Sequence, residues 1–314
     1  MLQGKGKILV ILLLSSKTLP MSKKLQGAFT ALITPFKSGA LDWAAFEALL
    51  EWQIAEGIDG LVPCGTTGES PTLTHDEHKA MIERTVKIAR GRVPVMAGTG
   101  SNATAEAVDF TRHAERSGAD AALVVAPYYN KPTQEGIYQH FKTIAAATSL
   151  PIIVYNIPGR SVINISDQTL ARLAEDCPNI AGVKDATGDL ARVSTLRRLV
   201  GDRLILFSGE DMTAVGFNAM GGRGVISVTS NILPKEIASI QRLTLAGDFA
   251  QALSRHERLI FLHQAMFTET SPGPVKYAAA TMRLCESSVR LPLVEITSAS
   301  KAMLRDALVE LKLI

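Results

Sequence analysis

The chain has 314 residues, which is enough for one large barrel or for two ordinary domains. Hydrophobic residues make up 46% and charged residues 20%, a mixture that is typical of globular proteins. The formal net charge of +3 and the lack of any run of lysines and arginines argue against a nucleic-acid-binding protein.

The first twenty residues differ from the rest of the chain. An apolar run at 8–14 follows two lysines, but it is far too short to span a bilayer. It imitates a signal peptide, yet no small-residue cleavage pattern follows it. We therefore expect residues 1–20 to be an extension or a misplaced start outside the fold, with export as the alternative. Three widely spaced cysteines, Cys64, Cys177 and Cys285, indicate a reducing compartment, so we expect a cytoplasmic protein without a membrane segment.

From Gly27 onward, short apolar runs alternate with stretches of helical periodicity. The predicted strands are 28–34, 60–64, 93–98, 121–127, 151–156, 180–185, 204–209 and 224–230. The predicted helices are 43–56, 75–90, 103–117, 134–147, 166–175, 190–199 and 212–219. Eight such units predict an α/β fold with a parallel sheet closed as a TIM (β/α)8 barrel, over residues 21–245. An open, doubly wound sheet is the alternative, because a pattern alone does not count strands reliably.

No strand pattern recurs after Ser230, and residues 234–314 have the pattern of several helices. Interruptions fall at the prolines near 270–274 and 291–292. We therefore expect a C-terminal helical domain, residues 246–314, appended to the barrel.

Lys184 is the one lysine inside a predicted strand, in the segment GVKDAT. Lysines are rarely buried without a partner or a function. The ordinary alternative is a lysine just past the strand end whose amine reaches solvent. The functional interpretation is an amine in a barrel lined by Val and Ile, where desolvation lowers its pKa and favours attack on a carbonyl to form a Schiff base.

Other reactive side chains follow the ends of neighbouring strands, where barrel enzymes place their chemistry. Tyr155 ends the fifth strand and is able to shuttle protons, unless it only packs its ring at the rim. Thr66 and Thr67 lie in the turn GTTGES, whose amides suit a small carboxylate, although such βα loops are common. Arg160 is able to grip a carboxylate, unless it is an ordinary surface arginine. His75 and His78 in the segment HDEH lack a third nearby ligand, and Thr74 to Glu77 fits a capping box, so we expect no metal site.

Five segments together resemble the dihydrodipicolinate synthase family of the pyruvate-dependent class I aldolase group. They are GTTGESPTL (65–73), PYYNKPTQEG (127–136), YNIPGR (155–160), GVKDATG (182–188) and GVISVTSN (224–231). The resemblance runs from about Gly27 to the C terminus and implies a (β/α)8 barrel. It also implies condensation of pyruvate with L-aspartate 4-semialdehyde to 4-hydroxy-tetrahydrodipicolinate, the first committed step of diaminopimelate and lysine biosynthesis, without metal or organic cofactor.

The resemblance also implies roles for particular residues. Lys184 would capture pyruvate, and Tyr155 would donate and accept protons. Thr66 and Tyr129 would complete a proton relay, with Tyr129 reaching into the site of a neighbouring subunit. The remaining substrate contacts would come from Thr67 and Ile226 for pyruvate and from Arg160 for the carboxylate of the aldehyde. The family implies a homo-oligomer, for which we expect a tetramer built as a dimer of dimers.

Feedback inhibition by L-lysine is a further implication of the resemblance. The positions that match the polar lysine-binding set are Ser70, His75, His78, Asn102, Glu106 and Tyr128. Glu106 is able to pair with an ammonium, and Asn102 and Tyr128 to hydrogen-bond a carboxylate. The alternative is that the two histidines only open a helix and that Glu106 is a solvated residue. Pro71 stiffens the loop beside Ser70 and weakens the regulatory interpretation.

Rival functions share parts of this pattern. N-acetylneuraminate lyases and 2-keto-3-deoxy sugar acid aldolases have the barrel, the lysine and the Tyr-Asn-x-Pro segment, but usually differ around TTGE and YYNKP. A barrel that only binds ligands is a third possibility, against which the complete set of reactive residues argues. The chain departs from the family pattern in residues 1–20, at Pro71, and in TSPGPVK (270–276), where the family usually has Asn-Pro-x-Pro-Val-Lys.

Overall fold

The computed structural model describes residues 25–314, so the predicted extension over residues 1–20 lies outside the described residues. Eight parallel strands form one sheet. They are β1 (Gly27–Ala31), β2 (Gly60–Val62), β3 (Met96–Gly98), β4 (Ala121–Val125), β5 (Ile152–Asn156), β6 (Ile180–Asp185), β7 (Ile205–Ser208) and β8 (Gly224–Ser227). The predicted strands are therefore confirmed in number and order, and most begin or end within three residues of the prediction.

The sheet closes on itself. Its order is β2-β1-β8-β7-β6-β5-β4-β3, so that β1 pairs with both β2 and β8. The two end strands, β2 and β3, meet through the parallel bridge between Leu61 and Val95. Two backbone hydrogen bonds support this seam, from Leu61 N to Pro94 O (3.0 Å) and from Gly98 N to Pro63 O (2.9 Å). The TIM barrel prediction is confirmed, and the open doubly wound alternative is wrong.

Helices cover the outside of the barrel. They are α1 (Trp43–Ala55), α2 (His75–Ala89), α3 (Thr104–Ser117), α4 (Gln134–Ala145), α5 (Asp167–Asp176), α6 (Leu190–Val200), α7 (Ala214–Ala219) and α8 (Pro234–Leu245). A one-turn helix, Pro158–Ser161, follows β5, and a small hairpin pairs Phe36–Lys37 with Ala40–Leu41. The predicted capping box opens α2, because Thr74 Oγ1 accepts from Glu77 N and the Glu77 carboxylate accepts from Thr74 N.

The barrel interior is more aromatic than the expected lining of Val and Ile. The rings of Phe29 and Phe207 meet edge to face with centroids 5.4 Å apart, and both side chains are fully buried. Gly60 on β2 makes room for the first ring, because a Cβ there would lie 2.1 Å from Phe29 Cε1. The absence of a side chain at Gly60 thus allows the Phe29 ring to fill the barrel interior.

The C-terminal helices pack against one another beyond the barrel. They are α9 (Phe249–Glu257), α10 (Ile260–Ala265), α11 (Gly273–Thr281) and α12 (Ser298–Glu310). Val275 on α11 and Leu304 and Leu308 on α12 are fully buried. No strand follows β8 in the described chain, as predicted. Over residues 25–314, none of the helices combines the length and the apolar character that a membrane crossing demands.

Candidate active site

Lys184 lies inside β6 and not beyond its end. Its Cα is in register with that of Tyr155 on β5 and with that of Phe207 on β7. The residue is 5% exposed, and Nζ lies 4.1 Å from the centroid of the Tyr155 ring. The alternative of a lysine that reaches bulk solvent is therefore excluded for this chain.

Tyr155 and Thr66 line one small cavity at the carboxyl end of the barrel. Tyr155 is buried, and the walls opposite it come from the loops after β2 and β3. The other lining residues are Cys64, Gly65, Ser70, Gly98, Gly100, Leu123 and Val125. Gly98 permits this approach of the two loops, because a Cβ there would lie 2.2 Å from Cys64 O.

The turn that carries the two threonines is closed by its own backbone. Gly68 N donates to Gly65 O and Glu69 N donates to Thr66 O, each at 3.1 Å. Thr34 Oγ1 donates to Gly68 O at 2.7 Å and so joins the turn to the end of β1. Thr67 is 4% exposed, whereas Thr66 is partly exposed and faces the cavity.

The other predicted substrate contacts lie at different depths. Ile226 on β8 is fully buried in the barrel interior. Arg160 is exposed on the one-turn helix, where its Nη2 lies 3.5 Å from Ser271 O of the C-terminal region. Tyr129 is 88% exposed with a left-handed backbone (φ +70°), and it does not line the cavity of its own chain.

Glu210, which follows β7 in the segment SGED, is a further candidate residue that was not predicted from the sequence. Burial raises the pKa of its carboxyl, as does the charge of Asp211, while the charges of Lys184 and Arg160 lower it. The Glu210 carboxyl therefore interacts electrostatically with both predicted cationic groups of the site, Lys184 and Arg160. Its position just beyond a strand end was the signal available in the sequence.

A second cavity, of about 140 Å³, adjoins the first. It is lined by Ser70, Pro71, Leu73, His75, His78, Gly100, Glu106, Phe110 and Tyr128. Five of the six residues predicted to bind lysine are among them. The sixth, Asn102, lies next to the cavity, where its Nδ2 donates to Tyr128 O at 3.2 Å. Ser70 lines both cavities.

The two histidines of the HDEH segment are in different environments. His75 is largely exposed, and its Nε2 lies 2.6 Å from Glu106 Oε1. His78 is 3% exposed, stacks on Phe110 with centroids 4.1 Å apart, and has Nε2 2.8 Å from Gly98 O. Burial lowers the pKa of His78 to about 4. At neutral pH it is an uncharged donor to the Gly98 carbonyl, already hydrogen-bonded within the chain.

Within residues 25–314, no three histidine, cysteine, aspartate or glutamate side chains come together as metal ligands would. The three cysteines are all free thiols.

A (β/α)8 barrel with a buried lysine in one strand and a tyrosine at the matching position of the next defines the class of protein. This is the class I aldolase type of lyase, in which a lysine forms a Schiff base with a carbonyl substrate. The chain belongs to the dihydrodipicolinate synthetase family, whose family model matches residues 24–311.

Curated relatives agree with this assignment. The chain is 54% identical over 286 residues to the 4-hydroxy-tetrahydrodipicolinate synthase of Afipia carboxidovorans, a match that covers 91% of this chain and 96% of the relative. It is 56% identical over 283 residues to the enzyme of the same name from Rhizobium meliloti, with 90% and 97% covered.

Solved structures agree as well. The dihydrodipicolinate synthase of Aquifex aeolicus superposes with a TM-score of 0.91 at 46% identity, over 92% of this chain and 98% of that one. The Acinetobacter baumannii enzyme, solved with pyruvate, has a TM-score of 0.90 at 44% identity, with 92% and 99% covered. The Cyanidioschyzon merolae enzyme, solved with lysine bound, has a TM-score of 0.90 at 37% identity, with 93% and 99% covered.

Proposed function

We propose that Lys184 captures pyruvate as a Schiff base and that the enamine formed from it condenses with L-aspartate 4-semialdehyde. The activity is that of a 4-hydroxy-tetrahydrodipicolinate synthase, a lyase of diaminopimelate and lysine biosynthesis that works by a class I aldolase mechanism. The observation that carries the proposal is the burial of the Lys184 amine 4.1 Å from the Tyr155 ring.

The chemistry needs a nucleophilic amine and a proton shuttle. The neutral amine attacks the carbonyl carbon of pyruvate, and the carbinolamine loses its hydroxyl as water when Tyr155 supplies a proton. Loss of a proton from the pyruvate methyl carbon gives the enamine, which forms a carbon–carbon bond to the aldehyde. The amino group of the second substrate then attacks the imine carbon, closes the ring and releases Lys184.

The surrounding residues support these steps. Thr66 shares the cavity with Tyr155 and would relay its proton, with Tyr129 of a neighbouring subunit as the outer member of the relay. Thr67 and Ile226 would hold pyruvate, from the threonine turn and from β8. Arg160 would bind the carboxylate of the aldehyde, since its guanidinium is exposed and suits a two-pronged contact with a carboxylate.

Reductive trapping tests the proposal. Borohydride added with pyruvate is expected to leave the mass of reduced pyruvate on the peptide that contains Lys184. Lys184→Ala should not be labelled, and Lys131→Ala, on an exposed loop, should be labelled as the wild type is. Turnover with aspartate semialdehyde, compared with N-acetylneuraminate and 2-keto-3-deoxygluconate, separates the synthase from the rival aldolases. A label on any other lysine would overturn the mechanism.

We propose that L-lysine binds the second cavity and inhibits the enzyme. The Glu106 carboxylate lies at its wall and is suited to an ammonium group, and Ser70 joins the cavity to the active site. Initial rates with added L-lysine are expected to fall in the wild type and not in Glu106→Ala. Asp109→Asn, on the same helix and outside the cavity, should remain inhibited as the wild type is. Full activity of the wild type in millimolar L-lysine would rule the site out.

We also propose a homo-oligomer, with a tetramer of two dimers as the expected state, in the cytoplasm. Tyr129 is a large aromatic side chain left 88% exposed, and its ring is a liability unless a partner covers it. Light scattering should report a multiple of the mass of the chain, and Tyr129→Ala should lower activity. An active monomer at assay concentration would refute this proposal.

A further inference from the structure

A second lysine of the chain is buried more completely than Lys184. Lys276 on α11 is 0% exposed, and its Nζ lies 2.7 Å from Glu69 Oε1 and 2.8 Å from Thr34 O. The Glu69 side chain is 1% exposed, and Nζ also lies over the Phe36 ring, 4.3 Å from its centroid. A buried ion pair persists only where its geometry and hydrogen bonds are well satisfied, and both are satisfied here.

The Lys276–Glu69 ion pair supports the turn that carries Thr66 and Thr67. Glu69 is the residue after Gly68 and has a left-handed backbone (φ +54°). Its second carboxylate oxygen, Oε2, accepts from Arg290 N at 3.0 Å, and the Arg290 guanidinium binds Thr72 O at 2.9 Å. The C-terminal region therefore contacts the turn through two separate segments, α11 and the stretch around Arg290.

The two residues that bind the Lys276 amine, Glu69 and Thr34, are themselves hydrogen-bonded to the backbone of the turn that carries Thr66 and Thr67. Glu69 N donates to Thr66 O, and Thr67 lies between these two residues in the turn. Thr34 receives Lys276 on its carbonyl and donates its hydroxyl to Gly68 O, so the end of β1 and the turn share one anchor. Displacement of the Glu69 side chain would thus move the backbone that carries both threonines.

We propose that Lys276 and Glu69 are positioning residues that fix Thr66 and Thr67 against Tyr155 and pyruvate. The proposal rests on the proposed function, because the two threonines matter only if they serve proton transfer and pyruvate binding there. The C-terminal helical region then contributes to catalysis by positioning the turn that carries Thr66 and Thr67, although its own side chains need not touch substrate. Burial lowers the pKa of Lys276, and the charge of the Glu69 carboxylate and its hydrogen bond oppose this.

Matched variants separate positioning from stability. Glu69→Gln keeps the size of the side chain and removes its charge, and Lys276→Met keeps the length and removes the amine. Val275→Ala is the control, since it removes buried volume from the same helix and leaves the side chains of Lys276 and Glu69 unchanged. The measurements are kcat and KM for pyruvate, together with Tm. The concentration of active sites used for kcat is counted in a separate sample by borohydride trapping at Lys184.

Positioning predicts a fall in kcat/KM for pyruvate of roughly 10- to 100-fold in Glu69→Gln and Lys276→Met, because displacements near 1 Å cost about this much. Val275→Ala should lose Tm but stay within about twofold of the wild-type kcat/KM. Folded variants with wild-type kcat/KM, or a Val275→Ala loss as large as theirs, would overturn the proposal.

A third variant and the trapping of the wild type distinguish the remaining outcomes. If both buried variants are insoluble, Arg290→Gln removes a partly exposed support of the same turn and should raise KM for pyruvate, and an unchanged KM would count against positioning. If the wild type itself is not trapped at Lys184, the proposed function fails and the positioning proposal fails with it. If trapping is normal and only the variant kinetics are unchanged, the positioning proposal fails alone.

Discussion

Acid should destabilise this protein through His78 before its carboxylates are protonated. The ring is 3% exposed, and burial lowers its pKa from near 6.5 to about 4. Between these two pKa values, His78 is protonated in the unfolded chain and neutral in the folded chain, so protonation favours unfolding. The stability held by neutral His78 is fully present above about pH 6.5 and is lost as the pH falls towards 4. Substitution of His78 by Gln removes this proton linkage.

The magnitude follows from the two pKa values. Each pKa unit corresponds to about 1.4 kcal/mol, so the complete shift is worth about 3 kcal/mol. Between pH 7 and pH 5, the share lost from the free energy of unfolding is about 2 kcal/mol. Burial lowers the pKa of His140 to about 4 as well, so that residue adds a loss of similar size. The wild type should therefore lose more than His78 alone accounts for.

Urea unfolding at pH 7 and pH 5, at one fixed protein concentration, measures the difference. His78→Gln is expected to be less stable at pH 7, where it lacks the ring stacked on Phe110, but to lose about 2 kcal/mol less than the wild type on acidification. His75→Gln is the control, because that side chain is 62% exposed on the same helix. An equal loss between pH 7 and pH 5 in wild type and His78→Gln would refute the reasoning.

Three further substitutions test the barrel and the site. Tyr155→Phe should lower kcat by about 100-fold or more and slow pyruvate trapping at Lys184, because the proton donor for imine formation is lost; steady-state rates and a time course of borohydride labelling would report both. Arg160→Ala should raise KM for the aldehyde and leave imine formation intact, and loss of trapping with unchanged aldehyde affinity would contradict its role. Gly60→Ala places a Cβ against Phe29 and should cost about 1–3 kcal/mol in urea unfolding, whereas Gly159→Ala, with open space around it, should cost much less.

The barrel was predictable because each strand is a short apolar run and each helix shows its own period. Lys184 and Tyr155 were predictable for the same reason, since a polar residue inside a buried run stands out; their chemical roles stay predictions. The interior aromatic pair was not predictable, because it depends on Gly60 facing Phe29 across strands.

Long-range partners were the main omission. Lys276 and Glu69 are 207 residues apart, and spacing along the chain carries no signal for such a pair. The one available hint was that this lysine is the single charged residue of the segment TSPGPVKYAAAT, which is rich in Pro and Ala. Glu210 was overlooked although it lies beyond a strand end, because its carboxyl gains meaning only from the cations that fold around it.

The barrel is paired unevenly around its circumference, with many paired positions beside β6 and a single bridge at the seam between β2 and β3. β6 pairs with β5 over five positions and with β7 over four, whereas the described seam between β2 and β3 has one paired position, Leu61 with Val95, and two backbone hydrogen bonds. Local opening is governed by how many such contacts must break together, so amide exchange should be fastest along the seam. Lys184 therefore lies in the most extensively paired part of the sheet, whereas the turn of Thr66 follows a seam strand and depends for its position on the contacts of Glu69 and Thr34 with Lys276.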